Sequence, residues 1–592
     1  MELTHNWAHN RQNSHPTGSS RRRFSRHRHP LLGILCLLLF GIGCTSSLIR
    51  PNAAEESTSS DPEEERSIRL VRDMARIWGL RPVRIEGIGL VTGLPNTGSD
   101  PPTSAGRDML LNDMRRRKVD RPVSILSSPS TAMAVVRTQL PAGVRKGDRL
   151  DIEVSSPSNS TTTSLRSGWL MPTRLQEMAV LGNRIREGHL MGMAEGSLIV
   201  KSLLESESND RAETKARVLG GAVSNIDRKL GLVLMSEHHS VRSSAMLGNA
   251  INARFHRYDR GTKTGVATPK RDNFIELDVH RTYRRNLVRY VRVIQAIPVR
   301  GTPHERLNRI HELEPQLLEP KTALRAAVDL EAIGVESLPA LRKGLQSNHQ
   351  LVRFAAAEAL AYMNEIEAVP HLLKAAQTER ALRWHALTAL SSMRETEARD
   401  ALAELLHEPS DESRYGAFKA LIEFNPRDPA AHGEIVGETL AMHRIPSETE
   451  PLVHIRRTER PEIVIFGDPI RLQTPLVIMA GKRYMVKSEA DNRLKISAFT
   501  AAEKDRARYC DNDLSEVIRT IVKIGGSYTD IVSSIMDAKR KGSLTARVKF
   551  DAIPQPGREY EFDPADLVPE DEEDFAEDQL TNEAIEDPGP SI

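Results

Sequence analysis

The chain has 592 residues, of which 27% are charged, and its formal net charge is +2. This length predicts about three or four domains. The near-neutral charge argues against a nucleic-acid binder, and the 4% aromatic content argues against stacking platforms for single strands. Two of the three cysteines, Cys36 and Cys44, lie near the N-terminus, so Cys510 alone can form neither an internal disulfide nor a cysteine zinc site.

Residues 1–44 have the pattern of an export signal. The basic stretch SRRRFSR precedes the apolar run LLGILCLLLFGI, which is shorter than the roughly 20 residues that span a membrane. Sec and twin-arginine export both fit this start. The run ends in Gly41-Ile42-Gly43-Cys44, which resembles a bacterial lipobox with Gly41 in place of the usual leucine. Two outcomes stay open: a lipid on Cys44 that anchors the chain to the outer membrane, or a soluble exported protein cleaved nearby. Residues 45–66 are polar and predict a flexible linker.

The stretch GIGLVTGLPNTGSD, residues 87–100, raises the question of a phosphate-binding loop. GIGLVTG is one residue too long for the dinucleotide fingerprint, and Ser99 stands where a Walker loop needs lysine. The apolar residues from Val83 to Val91 predict a strand, and PNTGSD predicts a turn. Glycines inside a strand indicate a bulge or a close backbone approach. The sequence therefore favours a strand and turn over a nucleotide site.

The same stretch resembles the signature of flagellar basal-body P-ring proteins. The matching positions are Gly87, Gly89, Leu90, Val91, Gly93, Leu94, Thr97, Gly98 and Asp100. Four further segments resemble family segments in the family's order, namely 140–156, 163–175, 217–227 and 274–299. The resemblance implies a β-rich, P-ring-like region over residues 67–300.

Residues 301–443 have a different character and contain a repeat. Arg353, Arg383 and Arg414 align at spacings of 30 and 31 residues, and Arg325 belongs to an earlier, looser copy. Helix pairs at this period indicate a solenoid, and the pattern resembles short HEAT repeats. We interpret the arginines as hydrogen-bonding braces between neighbouring repeats, with ligands for an acidic partner as the alternative.

Residues 444–558 return to β-rich sequence after a Pro-containing linker near 444–451. Apolar residues recur at helical spacing in 514–522, Gly525-Gly526 ends that helix, and Ser527 or Thr529 caps the next. A strand then follows near 544–550. This order resembles the C-terminal segment of the P-ring family, whereas the fold of residues 460–500 stays open. The tail, residues 559–592, is acidic and predicted to be disordered.

The predicted fold class is α+β, with β-rich P-ring-like regions at both ends interrupted by a short α-solenoid. The sequence lacks the HExxH, GxSxG and CxxC motifs, so we expect no catalytic residues, cofactor or metal. His238-His239 is interpreted as a surface turn rather than a metal site.

The resemblance implies a non-catalytic structural subunit of the P ring of the bacterial flagellum, a motility structure of the periplasm. Copies would self-associate around the flagellar rod, beside the L-ring protein and near peptidoglycan. We expect the repeats to hang off the ring and bind another envelope protein. The alternative is an envelope lipoprotein scaffold or binding module that reuses this fold without a flagellar role. A third interpretation, a cell-wall enzyme, is not supported by any catalytic motif in the sequence.

Overall fold

The computed structural model describes residues 68–560 apart from short internal gaps. These gaps are 182–183, 205–209, 260, 438–439, 482, 490, 492 and 500–505. The predicted export signal with Cys44, the predicted linker 45–66 and the acidic tail beyond Tyr560 lie outside the described residues.

Residues 70–300 form strands joined by short helices. The strands are β1 (Ala75–Trp78), β2 (Val83–Thr92), β3 (Ala132–Leu140), β4 (Arg149–Ser155), β5 (Trp169–Leu181), β6 (Arg184–Ser197), β7 (Ile199–Val200), β8 (Lys215–Ser224), β9 (Leu230–Leu234), β10 (His256–Asp259), β11 (Thr262–Gly265), β12 (Ala267–Pro269) and β13 (Phe274–Leu277). The helices are α1 (Ala105–Arg116), α2 (Pro122–Leu126), α3 (Lys201–Leu204), α4 (Asp210–Glu213), α5 (Val241–Arg254) and α6 (Leu287–Ala296).

A closed antiparallel sheet forms the first half of this region. Its strand order is β4-β3-β2-β5-β6-β8-β7, and β4 also pairs with β8, which closes the sheet. The alternation along β2 separates two faces. Ile85 and Val91 lie in the core enclosed by the sheet, whereas Ile88 and Leu90 pack against the buried side chains of α1 and α2.

A second antiparallel sheet, of order β1-β9-β13-β12, contributes to a separate core together with α5 and α6. Leu232 and Ile275 of this sheet are fully buried, as are Ile251 of α5 and Tyr290 of α6. This core continues without interruption into the helical repeats, so the sheet and the repeats are packed as one body.

The helical repeats run from residue 303 to residue 424. Their helices are α7 (Pro303–Leu318), α8 (Ala323–Ile333), α9 (Leu338–Leu345), α10 (Gln350–Tyr362), α11 (Val369–Thr378), α12 (Arg383–Ser392), α13 (Thr396–Glu404) and α14 (Asp411–Phe424). Nearly every residue of α10 is buried, because helices cover more than one of its faces. A repeat helix at the free surface of a solenoid would show an exposed stripe.

Residues 433–550 contain two further sheets. The elements are β14 (Gly433–Val436), β15 (Leu440–Ile445), β16 (Leu452–Ile455), β17 (Glu462–Phe466), β18 (Val477–Ala480), β19 (Tyr484–Ser488), β20 (Leu494–Ala498), β21 (Arg506–Cys510), α15 (Leu514–Lys523), α16 (Tyr528–Arg540) and β22 (Arg547–Phe550). A mixed sheet has the order β14-β15-β17-β16-β22, and an antiparallel sheet has the order β18-β19-β20-β21. Helices α15 and α16 share one core with both sheets.

The predicted helix, glycine turn, helix and strand near the C-terminus are α15, the turn at Gly525, α16 and β22. Gly525 has a φ of +94°, in the left-handed region that glycine adopts without strain. Ser527 caps α16, since its side chain accepts a hydrogen bond from the N–H of Asp530 while the Asp530 carboxylate accepts one from the N–H of Ser527. The α+β fold class is confirmed. The division into segments stays a prediction, with α14 ending at Phe424 and β14 starting at Gly433.

Candidate functional site

The glycines of β2 lie against β5. An ideal Cβ added to Gly87 would lie 2.2 Å from the carbonyl oxygen of Arg174, and one added to Gly89 would lie 2.4 Å from Oγ1 of Thr173. The β2–β5 pairing shifts its register between Glu86 and Val91, where these glycines stand. Any larger residue at these positions would therefore push β5 away from β2.

Several backbone N–H groups of the loop after β2 donate hydrogen bonds within the protein. Leu94 donates to the carbonyl oxygen of Ser130 (3.0 Å), and Gly98 donates to that of Pro129 (2.8 Å). Gly93 has a φ of +76° and turns the chain out of the strand. A phosphate-binding loop aims such N–H groups at its ligand. These hydrogen bonds therefore support the interpretation of this stretch as a strand and turn.

The side chains of the polar signature residues Thr97 and Asp100 also form hydrogen bonds with other segments of the chain. The Thr97 hydroxyl donates to the carbonyl oxygen of Ser164 (2.7 Å), which ties the loop to the segment before β5. Asp100 pairs with Arg107 in the first turn of α1 (3.2 Å). Val91 is fully buried. The structure thus gathers the signature residues around one packing site, where they hold β2, β5 and α1 together.

Two repeat arginines tie their helices to the preceding ones. Arg353 of α10 donates to the carbonyl oxygens of Ser347 (2.7 Å) and Asn348 (2.6 Å) in the turn after α9. Arg383 of α12 donates to the carbonyl oxygen of Ala376 in α11 (2.9 Å). The Arg383 bond satisfies a C-terminal carbonyl of α11 that lacks a partner in its own helix, and the Arg353 bonds satisfy carbonyls of the turn between α9 and α10. They support the bracing interpretation of the repeated arginine.

The other two repeat arginines differ. Arg414 of α14 is fully buried and donates to the carbonyl oxygen of Glu450 (2.9 Å) and the hydroxyl of Thr449 (3.0 Å). It therefore braces the last repeat against the segment before β16. Arg325 of α8 is exposed.

A buried ion cluster joins α6 to the repeats. The Arg289 guanidinium of α6 lies 2.6 Å from the carboxylate of Glu331 in α8 and 2.5 Å from that of Glu358 in α10. The side chains of Arg289, Glu331 and Glu358 are 8%, 0% and 3% exposed. Since the Arg289 fork reaches two helices at once, it fixes the position of α6 on both. We call these three residues the Arg289 cluster.

Aromatic and polar side chains complete the Arg289 cluster. The Tyr283 hydroxyl donates to Glu331, and the Tyr283 ring stacks on Tyr362 at a centroid distance of 4.7 Å. Burial raises the pKa of Glu331 above its ordinary value, in spite of the attraction of Arg289. Burial also acts to raise the pKa of Glu358, but the charges of Arg289 and His385 outweigh it and lower that pKa to about 2.

A second buried cluster joins the repeats to the C-terminal sheet. The Tyr415 hydroxyl of α14 donates to Glu462 of β17 (2.7 Å) and accepts from Arg456 (2.5 Å). The His454 ring of β16 stacks on the Tyr415 ring. Burial lowers the pKa of His454 well below its ordinary value, with a further contribution from Arg456. We call this group the Tyr415 cluster.

A cavity of about 800 Å³ lies where the closed sheet meets α12 and the β16–β17 connection. Asp151 accepts hydrogen bonds there from the N–H of Gly220 (2.7 Å) and from the N–H of Glu459 (2.8 Å). Arg285 pairs with Glu423 of α14 across the same space (3.1 Å). Asp151 therefore links the closed sheet to the β16–β17 connection, and Arg285 links the segment before α6 to the last repeat helix.

The repeats pack against other parts of the same chain, because their core is continuous with the second sheet and polar clusters fix them at both ends. Their expected projection from a ring stays a prediction. The Arg289 cluster was not predicted from the sequence. Its available signal was Glu331 in VDLEAI and Glu358 in FAAAEAL, a carboxylate within each apolar helix. A charge in such a run indicates a buried partner.

His238 and His239 lie in a short turn before α5, where Nε2 of His239 contacts the carbonyl oxygen of Leu234 (2.9 Å). Within residues 68–560, outside the gaps, no group of three or more His, Cys, Asp or Glu side chains could hold a metal ion. In the same described residues, no helix combines the length and apolarity that crossing a membrane requires.

Comparison with known proteins identifies two of the regions described above, the one with the closed sheet and its glycine signature and the solenoid that follows it. Residues 70–309 match the family model of the flagellar P-ring protein, and residues 312–381 match that of HEAT repeats. The chain thus carries a flagellar P-ring family region followed by a HEAT-repeat segment, which confirms both resemblances. The resemblance of residues 513–550 lies outside these matches and stays a prediction.

Curated relatives agree with the family match. The flagellar P-ring protein of Hydrogenovibrio crunogenus is 30% identical over 210 residues, covering 33% of this chain and 53% of the relative. That of Helicobacter pylori strain J99 is 22% identical over 235 residues, covering 39% and 61%. That of Campylobacter jejuni is 29% identical over 161 residues, covering 27% and 43%. The chain spans about half the length of the curated relatives it matches.

Proposed function

We propose that this chain is a non-catalytic structural subunit of the P ring, a periplasmic ring around the flagellar rod. The match of residues 70–309 to the P-ring family carries the proposal, since that range contains the closed sheet and its signature. Copies of the chain self-associate into a closed ring, which requires two different complementary faces on each subunit. The rod, the L-ring protein and peptidoglycan are its proposed neighbours.

In this proposal the helical repeats act as an internal brace. The Arg289 cluster attaches them to the region of residues 67–300, and the Tyr415 cluster attaches them to residues 444–558. Covering α8, α10 and α14 in this way uses surfaces that a solenoid otherwise offers to partners. The brace interpretation adds to the expected protein partner of the repeats, which stays a prediction.

Purified hook–basal bodies from the source cell test the ring. We expect mass spectrometry to find the chain there in amounts comparable with those of rod proteins, and electron microscopy to show one ring fewer after deletion of the gene. Expression of the full chain in the deletion strain restores the ring. Basal bodies that are intact and lack the chain would contradict the proposal.

The export signal proposed for residues 1–44 delivers the chain to the periplasm. A palmitate analogue supplied to cells that make either the wild-type chain or Cys44→Ser separates the two open outcomes. Label that depends on Cys44 defines a lipoprotein held at the outer membrane. An unlabelled, shortened chain in the periplasmic fraction defines the soluble form.

The alternative function is an envelope scaffold without a flagellar role. The partial coverage of the relatives favours it, together with the fusion of HEAT repeats into the core. If the chain is such a scaffold, it fractionates with the cell envelope in the same experiment. Deletion of the gene then leaves the basal bodies and swimming unchanged. Neighbouring rod and L-ring genes would instead favour the ring.

A further inference from the structure

Three arginines converge on one carboxylate at the edge of the solenoid where α12 and α14 begin. Arg558 binds Glu412 through both terminal nitrogens (2.7 and 2.9 Å), and Arg380 and Arg383 approach the same carboxylate to 3.5 and 3.6 Å. The next acid along, Glu408, accepts a hydrogen bond from the amide of Gln377 (2.9 Å). All three arginines thus contact the one carboxylate of Glu412, while Glu379 and Glu559 are the chain neighbours of Arg380 and Arg558. We call Arg380, Arg383 and Arg558 the arginine cluster.

The arginine cluster is open to solvent on one side. The Arg380 side chain is 71% exposed, and that of Arg558 is 24% exposed. Hydrogen bonds from Arg558, together with the charges of Arg558 and Arg380, outweigh partial burial and lower the pKa of Glu412. Glu412 is therefore ionised at neutral pH and compensates only one of the three positive charges.

The C-terminal part of the described chain leads directly to this cluster. After β22, Ala552 donates its N–H to Nε2 of His454 (3.0 Å). Pro554 then lies against Gly416, where an added Cβ would come within 2.9 Å of the proline ring. Arg558 pairs with Glu412 two residues before Tyr560. Residues 551–560 thus run along α14 toward its first turn.

The sequence that follows carries the complementary charge. Residues 561–578 contain ten Asp or Glu residues and no Lys, Arg or His. Residue 561 lies three positions after Arg558, a chain length of at most about 11 Å. A charged segment tethered this closely has an effective concentration at the cluster of about millimolar order.

We propose that residues 561–578 dock on the arginine cluster of the same chain. Charge complementarity and the direction of residues 551–560 together define this occupant. The docked segment pairs with the arginines that share Glu412 and holds residues 551–560 against α14. Because exposed ion pairs are screened over about 8 Å at physiological salt, docking weakens as salt is added. The inference does not depend on a role in the flagellum.

A rival basic surface exists at the end of α1, where Arg115, Arg116, Arg117, Lys118 and Arg121 are all exposed. It carries more positive charge than the arginine cluster, so it is the natural competitor for an acidic segment. The tether favours the arginine cluster, since the segment begins beside it. The experiment therefore compares the two surfaces directly.

Zero-length carbodiimide crosslinking of the full chain tests the proposal. Arg380→Lys places an amine in the arginine cluster, and Arg116→Lys places one in the rival surface. Both variants keep the charge, and both are first shown to melt as the wild type does. We expect a crosslink between position 380 and residues 561–578 within one chain, at several-fold higher yield than at position 116, and reduced several-fold in 1 M NaCl.

Three results would overturn the proposal. A yield at position 116 equal to or above that at position 380 would place the acidic segment on the rival surface. Crosslinks found only between chains, in mixtures of isotopically labelled and unlabelled protein, would make the occupant a second copy. A yield at position 380 that does not respond to salt would show that charge complementarity does not hold the segment there.

Discussion

Replacing Arg289 by Met tests whether the Arg289 cluster holds α6 on the repeats. The change removes the only cation of that cluster and leaves the carboxylates of Glu331 and Glu358 in the core without it, at 0% and 3% exposure. Removing one partner of a buried ion pair costs about 3–5 kcal/mol. At about 2.1 cal/mol/K per residue, the unfolding entropy of roughly 490 residues is about 1 kcal/mol/K. The melting temperature should therefore fall by about 3–5 °C.

Calorimetry of the full chain at neutral pH measures this shift. Arg325→Met is the matched control, because Arg325 lies on α8 and is exposed. Its expected cost is below about 0.5 kcal/mol. Adding Glu331→Gln and Glu358→Gln to Arg289→Met should recover part of the loss, since no buried charge is then left unpaired. If Arg289→Met melts within about 1 °C of the Arg325→Met control, the reasoning about the Arg289 cluster is refuted.

Three further predictions concern the glycine signature, the Tyr415 hydroxyl and the His454 ring. Gly98→Ala should cost about 1–3 kcal/mol in a thermal melt, because the added methyl would lie 2.0 Å from the carbonyl oxygen of Thr131 and the backbone must move. Tyr415→Phe should cost about 1–3 kcal/mol in the same assay, because Glu462 loses a buried donor. Burial lowers the pKa of His454, so the ring is neutral in the folded protein at a pH where it is protonated in the unfolded chain. This contribution to stability is present at pH values above the ordinary histidine pKa near 6.5 and is lost as the pH falls below that value. His454→Gln should therefore reduce the slope of unfolding free energy against acidic pH by up to about 1.4 kcal/mol per pH unit, measured by urea titration.

Each of these has a control and a contrary outcome. Gly106→Ala should be neutral or slightly stabilising, since its methyl would come no closer than 3.6 Å to Ile88 and alanine favours the helix. Equal melting of the Gly106→Ala and Gly98→Ala variants would contradict the packing argument for the signature. Tyr258→Phe, at a 70% exposed tyrosine, should leave stability unchanged, and a loss as large as that of Tyr415→Phe would count against the Tyr415 cluster. An unchanged pH slope in His454→Gln would show that this ring does not titrate on unfolding.

Local patterns were sufficient to predict the repeats and the signature strand. The spacing of Arg353 and Arg383 indicated the length of one helical repeat, and the turn residues after Val91 indicated where β2 ends. Both features depend on neighbours within one or two elements, so the sequence carries them directly. The helix, glycine turn, helix and strand around Gly525 could be predicted for the same reason.

Long-range pairing could not be predicted in this way. Arg289 meets Glu331 and Glu358 across 42 and 69 positions, and β22 joins β16 in parallel across almost 100 residues. The sequence of the repeats shows that one face is apolar, but it does not show what covers that face. Here other parts of the same chain cover it, which the expectation of a projecting arm did not include.

An averaged electron microscopy map of purified basal bodies separates a P-ring subunit from an envelope scaffold, because it shows both the ring and the place of the repeats. We expect a periplasmic ring around the rod into which residues 68–560 fit as one body, with the helices of the repeats lying against α6 and the C-terminal sheet in every subunit. A ring into which only the residues matched to the P-ring family fit, or a ring without this chain, would contradict it.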